Sequence, residues 1–125
     1  MAEPLPVLVV DDDEAIRNLV VRVLRREQYE TAEAVHGGEA LDRLRERPFA
    51  AVVLDLMMPV MTGIEVIRYL ETHDDAGAPC VIVMTAAGER ELRQVQSASV
   101  HAVLRKPFDV AALIAAVRDC RRHDW

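Results

Sequence analysis

The segment Ala50-Ala51-Val52-Val53-Leu54-Asp55-Leu56-Met57-Met58-Pro59 places a carboxylate directly after an apolar run. The apolar residues Ala50 to Leu54 predict a central parallel strand, because strands that are covered on both faces are apolar at every position. Asp55 then stands at the carboxyl end of that strand, where open parallel sheets bind their ligands. The segment therefore predicts both the middle of a sheet and the position of a functional site.

Three other apolar runs also end in polar side chains that can bind a ligand. The runs and their endings are Val7 to Val10 before Asp11-Asp12-Asp13, Val81 to Met84 before Thr85, and Val103-Leu104 before Arg105-Lys106-Pro107. The carboxyl ends of parallel strands meet at one edge of a sheet, so we expect these groups near Asp55. Acids, a hydroxyl group and an ammonium group together indicate a site for a divalent cation and a phosphoryl group.

Helical patterns separate the apolar runs along the chain. The predicted helices are Glu14 to Arg26, Glu39 to Arg47 after Gly37-Gly38, Gly63 to His73, Glu89 to Ser97 and Asp109 to Arg122. The half-polar run Glu30 to Val35 is typical of an edge strand, and Ala102 to Leu104 is the last, short strand. Five strands that alternate with five helices predict an α/β fold with helices on both faces of a parallel sheet. We expect residues 1–125 to form one domain, since that length fits a single core.

Composition narrows the classes of function and the compartment. The net charge of the 125 residues is −6, which argues against direct binding of nucleic acid, because such binding needs clustered Lys and Arg. The N-terminal residues lack the pattern of a secretory signal, and no apolar run reaches membrane-spanning length. Cys80 and Cys120 show no metal-binding spacing, nor do the four histidines, so we expect reduced thiols and surface histidines. These features predict a cytoplasmic protein with no membrane partner.

The strand endings resemble those of the receiver domain of response regulators, which act in bacterial two-component signalling. Four segments carry the resemblance: Val9-Val10-Asp11-Asp12, Asp55-Leu56-Met57-Met58-Pro59 with Gly63, Met84-Thr85-Ala86, and Lys106-Pro107-Phe108. Each segment is a weak signal alone, but all four occur in order and at predicted strand ends. The resemblance implies a flavodoxin-like (βα)5 fold, with a doubly wound five-stranded sheet in the order 2-1-3-4-5. It covers essentially the whole chain, so we expect no output domain.

The resemblance assigns a role to several residues of the site. Asp55 is the expected phosphoacceptor, which forms an acyl phosphate, and its donor would be a sensor histidine kinase or a histidine phosphotransfer protein. Lys106 and Thr85 would contact phosphoryl oxygens. The resemblance further implies a cis bond between Lys106 and Pro107. Such a chain is a signalling domain that assists its own phosphorylation and dephosphorylation, and we do not class it as an enzyme.

Magnesium is the cofactor that the resemblance implies. Its ligands would be Asp11, Asp12, Asp55 and the Met57 backbone carbonyl, with Asp11 acting mostly through water. The need for a cation is physical, because two carboxylates about 4 Å apart repel by about 4 kcal/mol at an effective dielectric constant near 20. Mg²⁺ prefers oxygen ligands and bridges carboxylates to a phosphoryl group. Asp13 falls outside this set, and we interpret it as a helix N-cap.

One residue departs clearly from what the resemblance leads us to expect. Val103 replaces an aromatic residue whose rotation reports phosphorylation, and valine is too small and too stiff to rotate in the same way. We therefore expect an altered output surface that binds a downstream protein through the Glu89 to Ser99 helix and the last strand and helix. Met57 and Ala87 cannot orient an attacking water, which predicts slow loss of the phosphoryl group.

Two alternatives come from other classes of protein. A receiver-like interaction module that no longer uses phosphate is favoured by Val103 and by Ser99-Val100, where the family commonly has Gly-Ala. The intact set of Asp11, Asp12, Asp55, Thr85 and Lys106 argues against it. A haloacid-dehalogenase-like phosphatase would need an Asp two residues after the nucleophile, where this chain has Met57. We therefore set the phosphatase aside.

Overall fold

The computed structural model describes residues 5–58, 61–72, 79–86 and 100–122. Its five strands are parallel and form one sheet in the order β2-β1-β3-β4-β5. The strands are β1 (Val7–Val10), β2 (Thr31–Ala34), β3 (Ala51–Asp55), β4 (Cys80–Thr85) and β5 (Val100–Arg105). The described helices are α1 (Glu14–Arg26), α2 (Gly37–Glu46), α3 (Gly63–Thr72) and α4 (Val110–Arg122). The predicted α/β fold and its flavodoxin-like strand order are confirmed.

The distribution of apolar residues decides which strands lie inside the sheet. β1 and β3 are buried at every residue, and β4 is buried from Val81 to Thr85. Such strands have to be apolar throughout because helices cover them on both faces. β2 is half-buried over most of its length and lies at one edge of the sheet, as its mixed polarity predicts. β5 alternates half-buried and exposed residues and lies at the other edge.

Each face of the sheet has its own apolar core. Side chains of β1 alternate between the two cores, because successive residues of a strand point to opposite faces. The core under α2 and α3 includes Leu8, Val10, Leu41, Phe49, Leu54 and Ile67. The core under α1 and α4 includes Val7, Val9, Leu24, Ile82, Met84 and Leu113. The carboxyl ends of the strands are therefore held between two packed layers.

Most predicted boundaries agree closely with the structure. β1 and α1 match the prediction, and the other described elements begin or end within one or two residues of it. The helix predicted at Glu89 to Ser97 lies outside the described residues. None of the helices in the described ranges is long and apolar enough to cross a lipid bilayer.

Side chains cap the helices that follow the strands. Asp13 is the N-cap of α1, as predicted, and its Oδ1 accepts hydrogen bonds from the N–H groups of Ala15 and Ile16 at 2.9 and 3.2 Å. Asp109 precedes α4, and its Oδ1 accepts a hydrogen bond from the Ala111 N–H in the first turn of that helix. His36 was predicted only as a surface residue, but its Nδ1 accepts a hydrogen bond from the first turn of α2. These caps satisfy backbone donors that a helix start otherwise leaves unpaired.

The prediction of reduced thiols is wrong, because Cys80 and Cys120 form a disulfide in the structure. Their Cα atoms lie 5.8 Å apart although 40 residues separate them in sequence. Cys80 begins β4, and Cys120 lies near the end of α4, which packs on the same strand. In a strand–helix–strand fold the helix runs back along the sheet, so the end of a helix comes close to the beginning of a strand. Sequence spacing alone could not show this pairing.

Candidate functional site

Asp55 is the last residue of β3, and only 3% of its surface is exposed. Its Oδ1 accepts a hydrogen bond from the Met57 backbone N–H at 3.1 Å. Gly63 begins α3 and lies so close to this turn that a Cβ atom there would overlap the Asp55 carbonyl oxygen. The Gly63 N–H also donates to the Leu56 carbonyl at 3.0 Å. The turn after β3 therefore requires glycine at position 63, and it holds the Asp55 carboxylate in place.

Asp11 and Asp12 follow β1, the strand that pairs with β3. A carboxylate oxygen of each lies within 4.8 Å of the other and of an Asp55 oxygen. Asp11 is fully buried, and its Oδ1 accepts a hydrogen bond from the Asp13 N–H at 2.9 Å. Asp12 is exposed. The structure thus brings together the three acids that the sequence analysis selected.

Lys106 reaches this acidic cluster from the end of β5. Its Nζ lies 2.9 Å from Asp11 Oδ2 and 3.3 Å from Asp55 Oδ2. Its backbone N–H donates to the Thr85 carbonyl at 2.8 Å, which ties the turn after β5 to the end of β4. The bond between Lys106 and Pro107 is cis, as the resemblance implies. One ammonium group therefore bridges two carboxylates, Asp55 and Asp11, which lie 51 and 95 residues before it along the chain.

Burial and charge oppose each other in this cluster. The pKa of Asp55 is raised from 3.8 to about 6, chiefly because burial disfavours the charged form, and the Asp11 charge adds to the effect. The Met57 N–H and the Lys106 charge act in the opposite direction without outweighing burial. Burial also acts to lower the pKa of Lys106, but contacts with Asp11 and Asp55 outweigh it and raise that pKa. Even with Lys106 in place, the cluster holds three carboxylates against one ammonium group.

Thr85 ends β4 and is fully buried. Its neighbour Met84 pairs with Asp55 across the sheet, so Thr85 follows directly at the same edge. Met57 lies in the loop after β3, and 52% of its surface is exposed. The structure therefore places all the predicted site residues, from Asp11 to Lys106, at the carboxyl edge of the sheet. Ala87 lies outside the described residues.

Arg17, which no sequence pattern singled out, supports the site from α1. Its guanidinium donates to the Asp11 carbonyl at 3.0 Å and to Glu33 Oε1 at 3.1 Å. These bonds join the end of β1 to the edge strand β2. The sequence shows only that Arg17 lies in the first turns of a predicted helix. That position does not determine the direction in which its side chain points.

The donor set agrees with the chemistry of magnesium. Three carboxylates converge, and hard oxygen donors are the ligands that Mg²⁺ prefers. Burial and the Asp11 charge both disfavour the ionised form of Asp55, and a bound cation would oppose these effects. The residues present therefore fit the cation that the sequence analysis expects.

Comparisons with known proteins assign the family. The family model of the response regulator receiver domain matches residues 7–118. Transcriptional regulatory protein SrrA of Staphylococcus aureus is 36% identical over 114 residues, which are 90% of this chain and 46% of SrrA. The chain thus spans about half the length of that curated relative. Because SrrA is named as a transcriptional regulator, this comparison gives no support to the prediction that nucleic acid is not contacted.

Solved structures show the same fold. The receiver domain of a response regulator from Bermanella marisrubri is 33% identical, with a TM-score of 0.86, and the match covers 95% of this chain and 99% of that one. Response regulator TrrA of Thermotoga maritima, solved in complex with Mg²⁺ and BeF, is 28% identical, with a TM-score of 0.82 and coverage of 93% and 98%. With the match of the family model over most of its length, the chain belongs to the response-regulator receiver domain family of two-component signalling.

Proposed function

We propose that this receiver accepts a phosphoryl group on Asp55 in a magnesium-dependent reaction, and that the acyl phosphate changes its binding to a protein partner. The observation that carries the proposal is the convergence of Asp55, Asp11, Asp12 and Lys106 at one edge of the sheet. A strand-capping aspartate would need no such set of charged neighbours. The structural likeness to TrrA, which was solved with Mg²⁺ and BeF, adds support.

The donor would be a phosphohistidine on a sensor histidine kinase or on a histidine phosphotransfer protein. An Asp55 carboxylate oxygen attacks phosphorus, and the phosphorus–nitrogen bond breaks as the new phosphorus–oxygen bond forms. The electron pair of the broken bond stays on the imidazole, which takes a proton. Lys106, now 3.3 Å from Asp55 Oδ2, would turn its ammonium group to a phosphoryl oxygen, and the Thr85 hydroxyl would donate to another.

Asp11, Asp12, Asp55 and the Met57 carbonyl are the groups that would hold Mg²⁺. When bound, Mg²⁺ supplies positive charge that offsets the repulsion among the carboxylates and stabilises the charge that develops on the phosphoryl group. The hydrogen bond from Asp13 to Asp11 Oδ1 keeps that side chain in position for this task. Asp12 is exposed and so leaves its side of the cluster open to solvent.

The output would be a protein–protein contact, and the compartment we propose is the cytoplasm. Val103 on β5 is 42% exposed, so a valine is presented on the edge strand where the resemblance calls for an aromatic residue. We propose that a downstream protein binds β5, α4 and residues 89–99, the last of which lie outside the described part of the chain. The phosphate-independent interaction module gains no support from the relatives, and it serves as the opposing outcome of the test below.

Backbone amide chemical shifts test this output directly. Mg²⁺ followed by beryllium fluoride should shift amides near Asp55 and also amides of β5, including Val103, because the acyl-phosphate mimic would draw in Thr85 and Lys106. The Asp55→Asn variant should show neither change. Shifts confined to the acidic cluster, with β5 and residues 89–99 unaltered, would contradict the proposed output surface.

A further inference from the structure

A second cluster of metal-ligating side chains lies near the amino ends of the strands, whereas Asp55 lies at their carboxyl ends. Cys80 begins β4, His101 lies at the start of β5, and Cys120 lies near the end of α4. One ligand atom of each residue, the two sulfurs and a ring nitrogen, lies within 4.8 Å of the other two. The three residues are scattered in sequence, so their meeting is a product of the fold.

A β-bulge brings His101 to this cluster. Val100 pairs with Val81 and Ala102 pairs with Ile82, so His101 is an extra residue in β5 that faces no partner in β4. Val100 packs on the core under α2 and α3, whereas Ala102 packs on the core under α1 and α4. Residues two apart normally share a face, so the bulge switches the face and re-aims the His101 side chain.

Asp119 holds the imidazole ring from α4. Its Oδ2 lies 2.8 Å from His101 Nε2, and the His101 side chain is 25% exposed. A carboxylate that binds one ring nitrogen of a histidine fixes the ring orientation, and it raises the basicity of the other nitrogen as a metal ligand. The arrangement of Asp119 and His101 is thus the one that supports metal-binding histidines in other proteins.

We propose that this cluster binds Zn²⁺ when the Cys80–Cys120 disulfide is reduced. Two thiolates and an imidazole are ligands that zinc prefers, with bonds of about 2.3 Å to sulfur and about 2.0 Å to nitrogen. The His101 nitrogen lies within 4.8 Å of both sulfurs, which are bonded to each other in this structure and would separate on reduction to bind the ion between them. A water molecule would complete a four-coordinate site.

The two forms of the cluster exclude each other. A dithiol reductant gives two electrons and two protons to the disulfide, becomes a disulfide itself and leaves two protein thiols. Zn²⁺ then replaces the two thiol protons, which are released to solvent. Because the thiolate is the metal ligand, the oxidised pair that the structure contains cannot bind the ion through its sulfurs. The site would therefore respond to both redox state and zinc.

An open groove borders the cluster on the side of His101 and Asp119. The groove has a volume of about 580 Å³, and His101, Asp119 and Ala116 are among the residues that line it. Cys120 is buried in the core under α1 and α4, and Cys80 is half-buried. Metal binding at this place would link β5, through His101, to the two elements that the disulfide connects, β4 and α4.

Cobalt titration of the full chain tests the proposal. After reduction without oxygen, one equivalent of Co²⁺ should give the charge-transfer absorption of thiolate ligands, and Zn²⁺ should abolish it. The oxidised chain should give no such absorption. An Asp55→Asn chain should behave like the unmodified one, which separates this cluster from the acidic one.

Single substitutions identify the ligands. Cys80→Ser and Cys120→Ser should remove the thiolate absorption or weaken it by half or more, and His101→Ala should weaken Zn²⁺ binding. Asp119→Asn should weaken it by about 10- to 100-fold, as is usual for groups that orient a ligand. Asp42→Asn changes an exposed helical carboxylate elsewhere and should have no effect.

A measurement on the unmodified chain decides the matter even if a variant fails to fold. Zn²⁺ should slow alkylation of the reduced cysteines by iodoacetamide, and a chelator should restore the rate. An unchanged alkylation rate would overturn the proposal. So would equal Zn²⁺ affinity of the unmodified and His101→Ala chains.

Discussion

At Asp55 the fold buries a carboxylate beside another carboxylate and supplies a single ammonium group for the two. The contacts from Lys106 to Asp11 and Asp55 offset part of the repulsion, yet the pKa of Asp55 remains raised, to about 6. A group that is both buried and poorly neutralised costs stability when it is ionised. We expect such an unfavourable free energy of ionisation at a site that binds a cation.

Replacement of Asp55 by asparagine should stabilise the metal-free protein. Between pH 3.8 and about 6 the folded chain binds more protons at Asp55 than the unfolded chain, so this group lowers the free energy of unfolding as pH rises through that window. Above that pH window, the destabilisation by the ionised Asp55 carboxylate has its full size. In the presence of a chelator at neutral pH, Asp55→Asn should therefore raise the free energy of unfolding by about 1–3 kcal/mol, since one pKa unit is about 1.4 kcal/mol.

Thermal or denaturant unfolding measures this effect, with the exposed Asp42→Asn change as control. The gain from Asp55→Asn should shrink as pH is lowered towards 4, where Asp55 is protonated in the folded chain. Mg²⁺ should stabilise the unmodified chain more than the variant. A variant that is less stable than the unmodified chain at neutral pH without Mg²⁺ would show that the buried charge carries no such cost.

Met57 should prolong the life of the acyl phosphate. It is half-exposed next to Asp55 and cannot hydrogen-bond a water molecule for attack on phosphorus. Met57→Asn places an amide there and should shorten the half-life, which is measured as loss of the phosphoryl group over time. Met57→Leu, which remains apolar, should leave the half-life unchanged. Equal half-lives for the asparagine and leucine variants would contradict this role for Met57.

Among the elements, α1 ends in a turn that favours glycine, although the chain has Gln28 there. The Gln28 N–H donates to Arg25 and the Tyr29 N–H donates to Leu24, which is the pattern of a Schellman motif. Gln28 itself has a φ of 69°, a left-handed conformation that costs an L-residue about 1–2 kcal/mol. Its side chain is exposed. The helix end is therefore formed at a cost that glycine would avoid.

Gln28→Gly should accordingly stabilise the protein. The relief of backbone strain exceeds the entropy that glycine loses on folding, which is about 0.5–1 kcal/mol, so we expect a net gain of about 0.5–1 kcal/mol. For a chain of this size, that gain corresponds to a rise in Tm of about 2–4 °C. Gln28→Ala keeps the Cβ atom and should give no rise. A lower Tm for the glycine variant would rule out strain at this position.

Local patterns were enough to predict most elements. Continuous apolar runs predicted β1 and β3, because strands that are buried on both faces are apolar throughout. The mixed polarity of Glu30 to Val35 predicted an edge strand, because such a strand is partly exposed to solvent. The bulge at His101 corresponds to no such pattern. It depends on how β5 aligns with β4, and a single histidine between Val100 and Ala102 does not show that alignment.

For the whole molecule, strand order turns distant residues into neighbours. Asp11, Asp55, Thr85 and Lys106 were selected from the sequence because each follows an apolar run, and parallel strands end at a common edge. The disulfide and the contact between Arg17 and Asp11 could not be predicted in this way. They depend on how helices pack on the sheet, which the spacing of single residues does not determine.

The two ends of the parallel strands thus carry side chains of different chemistry. The carboxyl edge carries hard oxygen donors and an ammonium group, which suit Mg²⁺ and a phosphoryl group. The amino end carries two sulfurs and an imidazole, which suit a softer ion. Strand β4 connects the two, with Cys80 at one end and Thr85 at the other.

Intact mass after incubation with Mg²⁺ and a small acyl-phosphate donor tests the central claim most directly. The unmodified chain should gain the mass of a single phosphoryl group, and the Asp55→Asn chain should gain none. A gain in both chains would place the phosphoryl group elsewhere. No gain in either, in a folded sample that still binds Mg²⁺, would contradict phosphoryl transfer to Asp55 and favour an interaction module that does not use phosphate.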